Sequence, residues 1–263
     1  MPGVERELAL VIVSAHPGDV ARRIAAERRV AGYRLIPRGA RAMRDIHLDT
    51  PDGQLAARRL ALRVRTAGGA ARRLTLKGPS VALSGGGLAR SEREWVWSGE
   101  TLAIALDAMA SAGVRLPQPA AGAAGRDPLD VMRGVGLTVI QDRQTRRTAR
   151  DIVAAENGPV LAELAIDAVV FHLRGCDVRH HEVEIEATSR GGEQVMQAVG
   201  RALMARFAPA LRHHLGSKLA IGRAIERLYR AGALDALLGS DGALTRAAYD
   251  ALEPPRPVRS PAG

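Results

Sequence analysis

The 263-residue chain has one cysteine, seven aromatic residues and two lysines, and each shortage excludes something. Cys176 alone provides neither an internal disulfide framework nor a cysteine-based zinc site, and points to a reducing compartment, read here as the cytoplasm. Two Trp, three Tyr and two Phe are too few to build the stacking platforms that hold single-stranded nucleic acid. The N-terminal apolar run covers only residues 8–13, directly behind Glu5, Arg6 and Glu7, so neither a signal peptide nor a membrane span is expected. What the chain does have is charge: 38 Lys and Arg against 28 Asp and Glu, a formal net charge of +10. All the bases except Lys77 and Lys218 are arginines, which together with abundant Ala and Gly reads as a compositional bias with no bearing on partners. Duplex nucleic acid is therefore not inferred from the charge. The two lysines stand out, because a compact ammonium and a forked guanidinium are not interchangeable where one phosphate oxygen must be met. A hydrophobic content of 46% suffices for one large or two small packed domains and excludes disorder of the whole chain.

Period-two alternation dominates the first hundred residues and returns after about residue 135. Over 5–13, Glu5, Glu7 and Ala9 share one side and Arg6, Leu8 and Leu10 the other. His16-Pro17-Gly18-Asp19 breaks this strand, and Asp19 is placed to cap a helix running to about residue 30. A second strand is expected over 41–49, ended by Thr50-Pro51-Asp52-Gly53. Residues 60–65 set Arg63 and Arg65 opposite Leu62 and Val64, and residues 73–77 set Arg73, Thr75 and Lys77 opposite Leu74 and Leu76. Arg90, Glu92 and Glu94 share a face. A helix over 100–112 and a loose Gly/Ala/Pro connection over 117–130 follow. Strands at 136–148, 160–171 and 177–188 bring the count to eight, the last with Glu182, Glu184 and Glu186 opposite Val183, Ile185 and Ala187. Helices are expected over 192–207 and 217–238. This divides the chain into a main domain over 1–230, a helical extension over 231–252 and a disordered tail over 253–263.

The polar faces carry acids on the first, fifth and eighth strands and bases on the third and fourth, with none built from the Ser, Thr and Gln typical of a solvated surface and Thr75 the one such residue among the positions named. A closed barrel with helices outside would turn these faces inward and make a charged lumen. An open sheet with a solvated charged face has the same periodicity, so alternation alone leaves both arrangements open. In a lumen, crowded carboxylates need cations to remain ionised, and an oxygen-only ligand set selects hard divalent ions such as Mg2+ or Mn2+. Facing Arg and Lys side chains match a polyanion, with bidentate Arg suited to phosphate oxygens. Metal, bases and polyphosphate together describe phosphoryl transfer.

Six motifs in order then resemble one family. They are Glu5-x-Glu7; Asp49-Thr50-Pro51-Asp52 with Leu55 and Leu60-Ala61-Leu62-Arg63-Val64-Arg65; Leu74-Thr75-Leu76-Lys77-Gly78-Pro79; Arg90-x-Glu92-x-Glu94; Glu182-Val183-Glu184-Ile185-Glu186; and Ser217-Lys218. This set resembles the CYTH domain of the triphosphate tunnel metalloenzymes over about residues 4–230. The resemblance implies an α+β fold with an eight-stranded antiparallel closed barrel, and metal-dependent hydrolysis of tripolyphosphate or a small organic triphosphate. It implies metal ligation by Glu5, Glu7, Glu182 and Glu184, with Asp167 and Glu186, and phosphate binding by Arg63, Arg65, Lys77, Lys218, Arg90 and either Arg146 or Arg147. A slip of one residue swaps the faces of a strand, so the sequence does not choose between that last pair. Glu92 and Glu94 match interior acids that orient water or a second metal, and with Glu5, Glu7 and Lys77 they form the expected catalytic set. One position departs from the family: Ala9 stands where the first motif has lysine. Loss of one preorganised cationic donor costs about 3 kcal/mol of transition-state stabilisation, which keeps a non-catalytic polyphosphate- or nucleotide-binding module, and a class IV type adenylate cyclase, as alternatives.

Other features have plainer readings. The adjacent pairs His180-His181 and His213-His214 are poor chelates, since neighbours on a strand or helix diverge. Trp95 and Trp97 are expected to pack beneath a helix. The residues after Tyr229 are too few for the helical phosphate-binding domain that follows the barrel in some family members. Pairing of two copies into a homodimer through strand edges or helices is compatible with the pattern.

Overall fold

Strands with charge on one side and aliphatic residues on the other bury both faces only if the sheet closes on itself, and here it does. The computed structural model describes residues 3–69, 71–120, 122–189, 191–214 and 216–252; the expected tail lies outside the described residues. Its strands are β1 (Gly3–Ile12), β2 (Arg29–Val30), β3 (Tyr33–Asp49), β4 (Ala61–Ala67), β5 (Arg73–Ala82), β6 (Leu88–Val96), β7 (Thr138–Val153), β8 (Val160–Leu173), β9 (Cys176–Ala187) and β10 (Leu211–His214). The antiparallel order β1-β6-β5-β4-β3-β7-β8-β9 returns to β1 through the β1–β9 ladder, which makes a closed eight-stranded barrel. The short strands β2 and β10 are appended to β3 and β1. The helices are α1 (Pro17–Ala26), α2 (Gln54–Ala57), α3 (Gly99–Ser111), α4 (Pro128–Gly134), α5 (Gly192–Arg206), α6 (Lys218–Arg230) and α7 (Arg246–Leu252).

Three apolar clusters fix where the lumen lies. On the outer wall, Leu8, Leu10, Ile12, Leu164, Ile166, Val183 and Ile185 pack under α1 and α5. On another part of the wall, Ile46, Leu48, Leu62, Val64, Leu74 and Leu76 pack under α2, α3 and α4, with Trp95 and Trp97 against them. The third cluster differs, because Val11, Val169, Phe171 and Val178 continue the inward-facing rows of β1, β8 and β9. They meet Ile221 and Ile225 of α6 and Ala248 and Tyr249 of α7. One end of the barrel is thus filled with hydrocarbon and covered by two helices, leaving a blind cavity.

Several local expectations are corrected. The first helix begins at Pro17 with His16 at its N-cap, while Asp19 lies in the first turn and pairs with Arg22; proline's fixed φ favours that start. β3 runs through Pro37 and Gly39, where the register with β7 shifts and Gly39 has φ 93°, so the strand is much longer than 41–49. Part of the expected loose connection forms α4, capped by Asp127, whose Oδ1 accepts from Leu129 N at 2.8 Å. The helix expected over 217–238 ends at Arg230, with Gly232 at φ 67° just beyond.

Candidate functional site

The inward faces of the strands, together with the N-terminus of α6, line a cavity of about 220 Å3. Among the described residues its wall carries nine carboxylates, eight Arg or Lys side chains and His47; the purely apolar side chains are Met43, Ala61 and Leu219, with no Phe, Tyr or Trp. The expected residues Glu5, Glu7, Arg63, Arg65, Lys77, Arg90, Glu92, Glu94, Arg147, Asp167, Glu184, Glu186 and Lys218 all line it. Glu182 lies just below, 1% exposed and paired with Lys218. Arg146 does not join them. Alternate residues of β7 face opposite ways, and with Arg147 set against Asp167 on β8, Arg146 lies exposed in an outer groove beside Arg44 and Val170.

Three ion-pair clusters make up the wall. In the first, Glu5 receives Lys77 Nζ at 2.8 Å and Arg90 Nε at 2.7 Å, and the other arm of Arg90 reaches Glu7 at 2.6 Å. Lys77 and Arg63 also face Glu92, at 3.3 and 3.4 Å. In the second, one carboxylate, Asp45, is met by Arg65 at 2.6 Å, Arg143 at 3.0 Å and Arg63 at 3.6 Å. The third is deepest: Asp167 receives both arms of Arg147, at 2.8 and 2.7 Å, and Lys218 lies 3.1 Å from Asp167, 2.6 Å from Glu184 and in contact with Glu182. Arg147 also contacts Glu184. Toward the open end, Glu94 pairs with Arg73 at 2.8 Å.

The balance is local, and proton affinities follow it. Burial pushes the Glu5 carboxyl up, but the charges of Lys77 and Arg90 outweigh it and hold the group at about 2. Glu7 is pushed up to about 7 by burial, with the charges of Glu184 and Glu5 adding to it. Glu186 is likewise raised to about 7 by burial and by Glu5. Glu184 lies well below the usual carboxylate range because Lys218 and Arg147 overcome the effect of its burial. Burial and the Arg143 charge push His47 well below the ordinary imidazole value.

Sequence reading missed Arg41, Asp45, His47, Arg143, Thr145 and Glu163, which also line the cavity. The signal was present in the alternation of Arg41, Met43, Asp45 and His47 on β3 and of Arg143, Thr145 and Arg147 on β7, but which alternating face turns inward is decided by closure. Three buried nitrogens of the cavity wall, His47 Nδ1, Arg63 Nε and Arg143 Nε, have no hydrogen-bond partner among the described residues. Asp167, Glu182 and Glu184 place carboxylate oxygens within 4.8 Å of one another.

The CYTH domain model matches residues 21–208. The chain belongs to the CYTH domain family. Its barrel is similar to that of HpAC1 from Hippeastrum, for which a dominant triphosphatase activity is described, at 20% identity and a TM-score of 0.53 over 84% of this chain and 95% of that one. It is also similar to the Pyrococcus horikoshii OT3 protein PH1819, at 15% identity and a TM-score of 0.48 over 84% and 99% of the two chains. At 20% identity the likeness to HpAC1 is one of fold. No curated protein sequence matches the chain significantly. No helix among the described residues is long and apolar enough to cross a membrane.

Proposed function

We propose that this CYTH protein is a divalent-metal-dependent hydrolase of inorganic tripolyphosphate or a small organic triphosphate. The observation that carries this reading is the second cluster, in which three arginines converge on the single carboxylate of Asp45 in a blind polar cavity and keep buried nitrogens unpartnered. Such a cluster has positive charge and donor capacity left for phosphate oxygens. Arg63, Arg65 and Arg143 would hold one phosphoryl group, with Lys77 and Arg90 beside it. In the deep cluster, Arg147 and Lys218 would meet the chain's far end.

The donor set also fits a metal. The carboxylates offer only oxygen ligands, which suits a hard divalent ion. Burial, with neighbouring carboxylates adding to it, pushes Glu7 and Glu186 up to about 7, a crowding of acids that a divalent cation would relieve. Glu5, Glu7, Glu184 and Glu186, with Asp167 and Glu182, would hold the ion. A bound divalent ion supplies Lewis-acid polarisation of a phosphoryl oxygen and lowers the pKa of bound water. The chain's own residues orient the substrate: Glu92 holds Lys77 and Arg63 in place, and Glu94 with Arg73 sits at the mouth.

Ala9 favours a second reading, a polyphosphate-binding module without turnover. Against it, Arg90 bridges Glu5 and Glu7 from the neighbouring strand and supplies a cation to the first-strand acids. The test is release of phosphate from tripolyphosphate with Mg2+ or Mn2+, comparing wild type with a Glu5→Gln, Glu7→Gln double variant. Faster release by the wild type supports hydrolysis. Equal rates with calorimetric binding of tripolyphosphate would move the protein to the binding reading, and cyclic AMP and pyrophosphate from ATP would move it to a cyclase.

A further inference from the structure

Below the cavity floor a buried chain of polar side chains runs away from the site into the apolar plug. His180 continues the inward row of Glu182, Glu184 and Glu186 on β9 and is 0% exposed. Its Nε2 lies 2.7 Å from Glu182 Oε2, and its Nδ1 lies 2.7 Å from the hydroxyl of Tyr249, which is 3% exposed on α7. The other oxygen of Glu182 meets Lys218. The donors and acceptors fit in one direction. Glu182 has one oxygen against the Lys218 ammonium, which can only donate, and the paired carboxylate accepts at the other, so Nε2 donates. In the neutral ring Nδ1 accepts from the Tyr249 hydroxyl, which burial and the nearby Glu182 charge keep protonated. Polar groups in such surroundings are costly unless fully paired. Here they are paired end to end, and each link fixes the next.

We propose that Tyr249 and His180 are positioning residues: the C-terminal helix α7 delivers a hydroxyl that fixes the His180 ring, which fixes Glu182 and through it the Lys218 ammonium at the cavity floor. This rests on the cavity being the phosphate-handling site proposed above. It also makes α7, which lies beyond the matched residues 21–208, part of the site. Neither His180 nor Tyr249 lines the cavity, so their effect is transmitted through Glu182.

The test uses the full chain and Tyr249→Phe, which keeps the ring and removes only the hydroxyl. Imidazole 15N spectra should show His180 in wild type with the proton on Nε2, and displaced ring-nitrogen shifts in the variant. With tripolyphosphate and Mn2+, kcat should fall about tenfold while KM changes less than about twofold. His180→Gln, which can still donate to Glu182, should restore part of the kcat lost in His180→Leu. If wild type shows no turnover, the hydrolase reading fails on its own, and the relay is judged by Mn2+ affinity in calorimetry, which should weaken about tenfold in Tyr249→Phe. Unchanged 15N shifts, or unchanged kcat and unchanged Mn2+ affinity in Tyr249→Phe, would overturn the proposal, as would a wild-type proton on Nδ1. A loss of thermal stability without change in any of these readouts would assign the relay to folding alone and overturn it too.

Discussion

Single side chains decide the site through which way they point. Arg147 holds Asp167, which is 0% exposed, with two hydrogen bonds, and without it Lys218 alone would face the three buried acids Asp167, Glu182 and Glu184. Arg147→Ala should therefore cost about 3 kcal/mol in urea denaturation and abolish phosphate release, whereas Arg146→Ala on the outer face should stay within about 0.5 kcal/mol with turnover intact. Glu186 gives a pH signature. Its carboxyl sits at about 7 in the fold against an ordinary 4.5, so the folded state keeps a proton that the unfolded chain has lost. That contribution to stability is complete below 4.5 and disappears as pH rises to 7, while the depressed Glu5 contributes above 4.5 and loses its effect as pH falls toward 2. In metal-free protein, Glu186→Gln should flatten the fall in Tm between pH 4.5 and 7; identical slopes in wild type and variant would refute the assignment. Most of these residues could be read from their motifs. The Arg146/Arg147 alternative could not, because nothing local to β7 says which face is inside.

At the scale of elements, turn and cap chemistry explains what was readable and what was not. Asp127-Pro128 is a helix start that could have been read, with a capping acid before an N1 proline, but the surrounding Gly, Ala and Pro masked it. β3 could not be traced through Pro37 and Gly39, since both normally end a strand and only pairing on either side carries the chain through the bulge. The helix α6 depends on a close approach: a Cβ on Gly222 would lie 2.0 Å from Gln141 Nε2 and 2.9 Å from Phe171 Cε1. Gly222→Ala should push α6 away from the barrel, cost about 1–3 kcal/mol by thermal denaturation, and lower turnover by displacing Lys218 at the helix's first turn. Full stability with wild-type turnover would show that the helix can shift without disturbing the floor.

For the whole molecule, the charge balance separates inside from outside. The chain carries +10, yet the cavity wall holds nine carboxylates against eight bases, so the positive surplus lies elsewhere. Outer charges are screened by salt and enclosed ones much less so. Tripolyphosphate binding should therefore persist at about 1 M salt, where the Debye length is about 3 Å, under conditions that release any duplex DNA held by the surface. Parallel loss of both would place the phosphate contacts outside the barrel. The sequence by itself determined the alternation, the charged and apolar faces of each strand, and the order of the motifs, because these follow from a residue's type and its parity along the chain. Only the tertiary structure decided that the charged faces turn inward, that Asp45 gathers three arginines, and that α7 closes one end and reaches Glu182 through His180. Those outcomes depend on closure of the β1–β9 ladder, a contact between segments more than 170 residues apart, and no local pattern encodes the distance between two side chains that meet across a barrel.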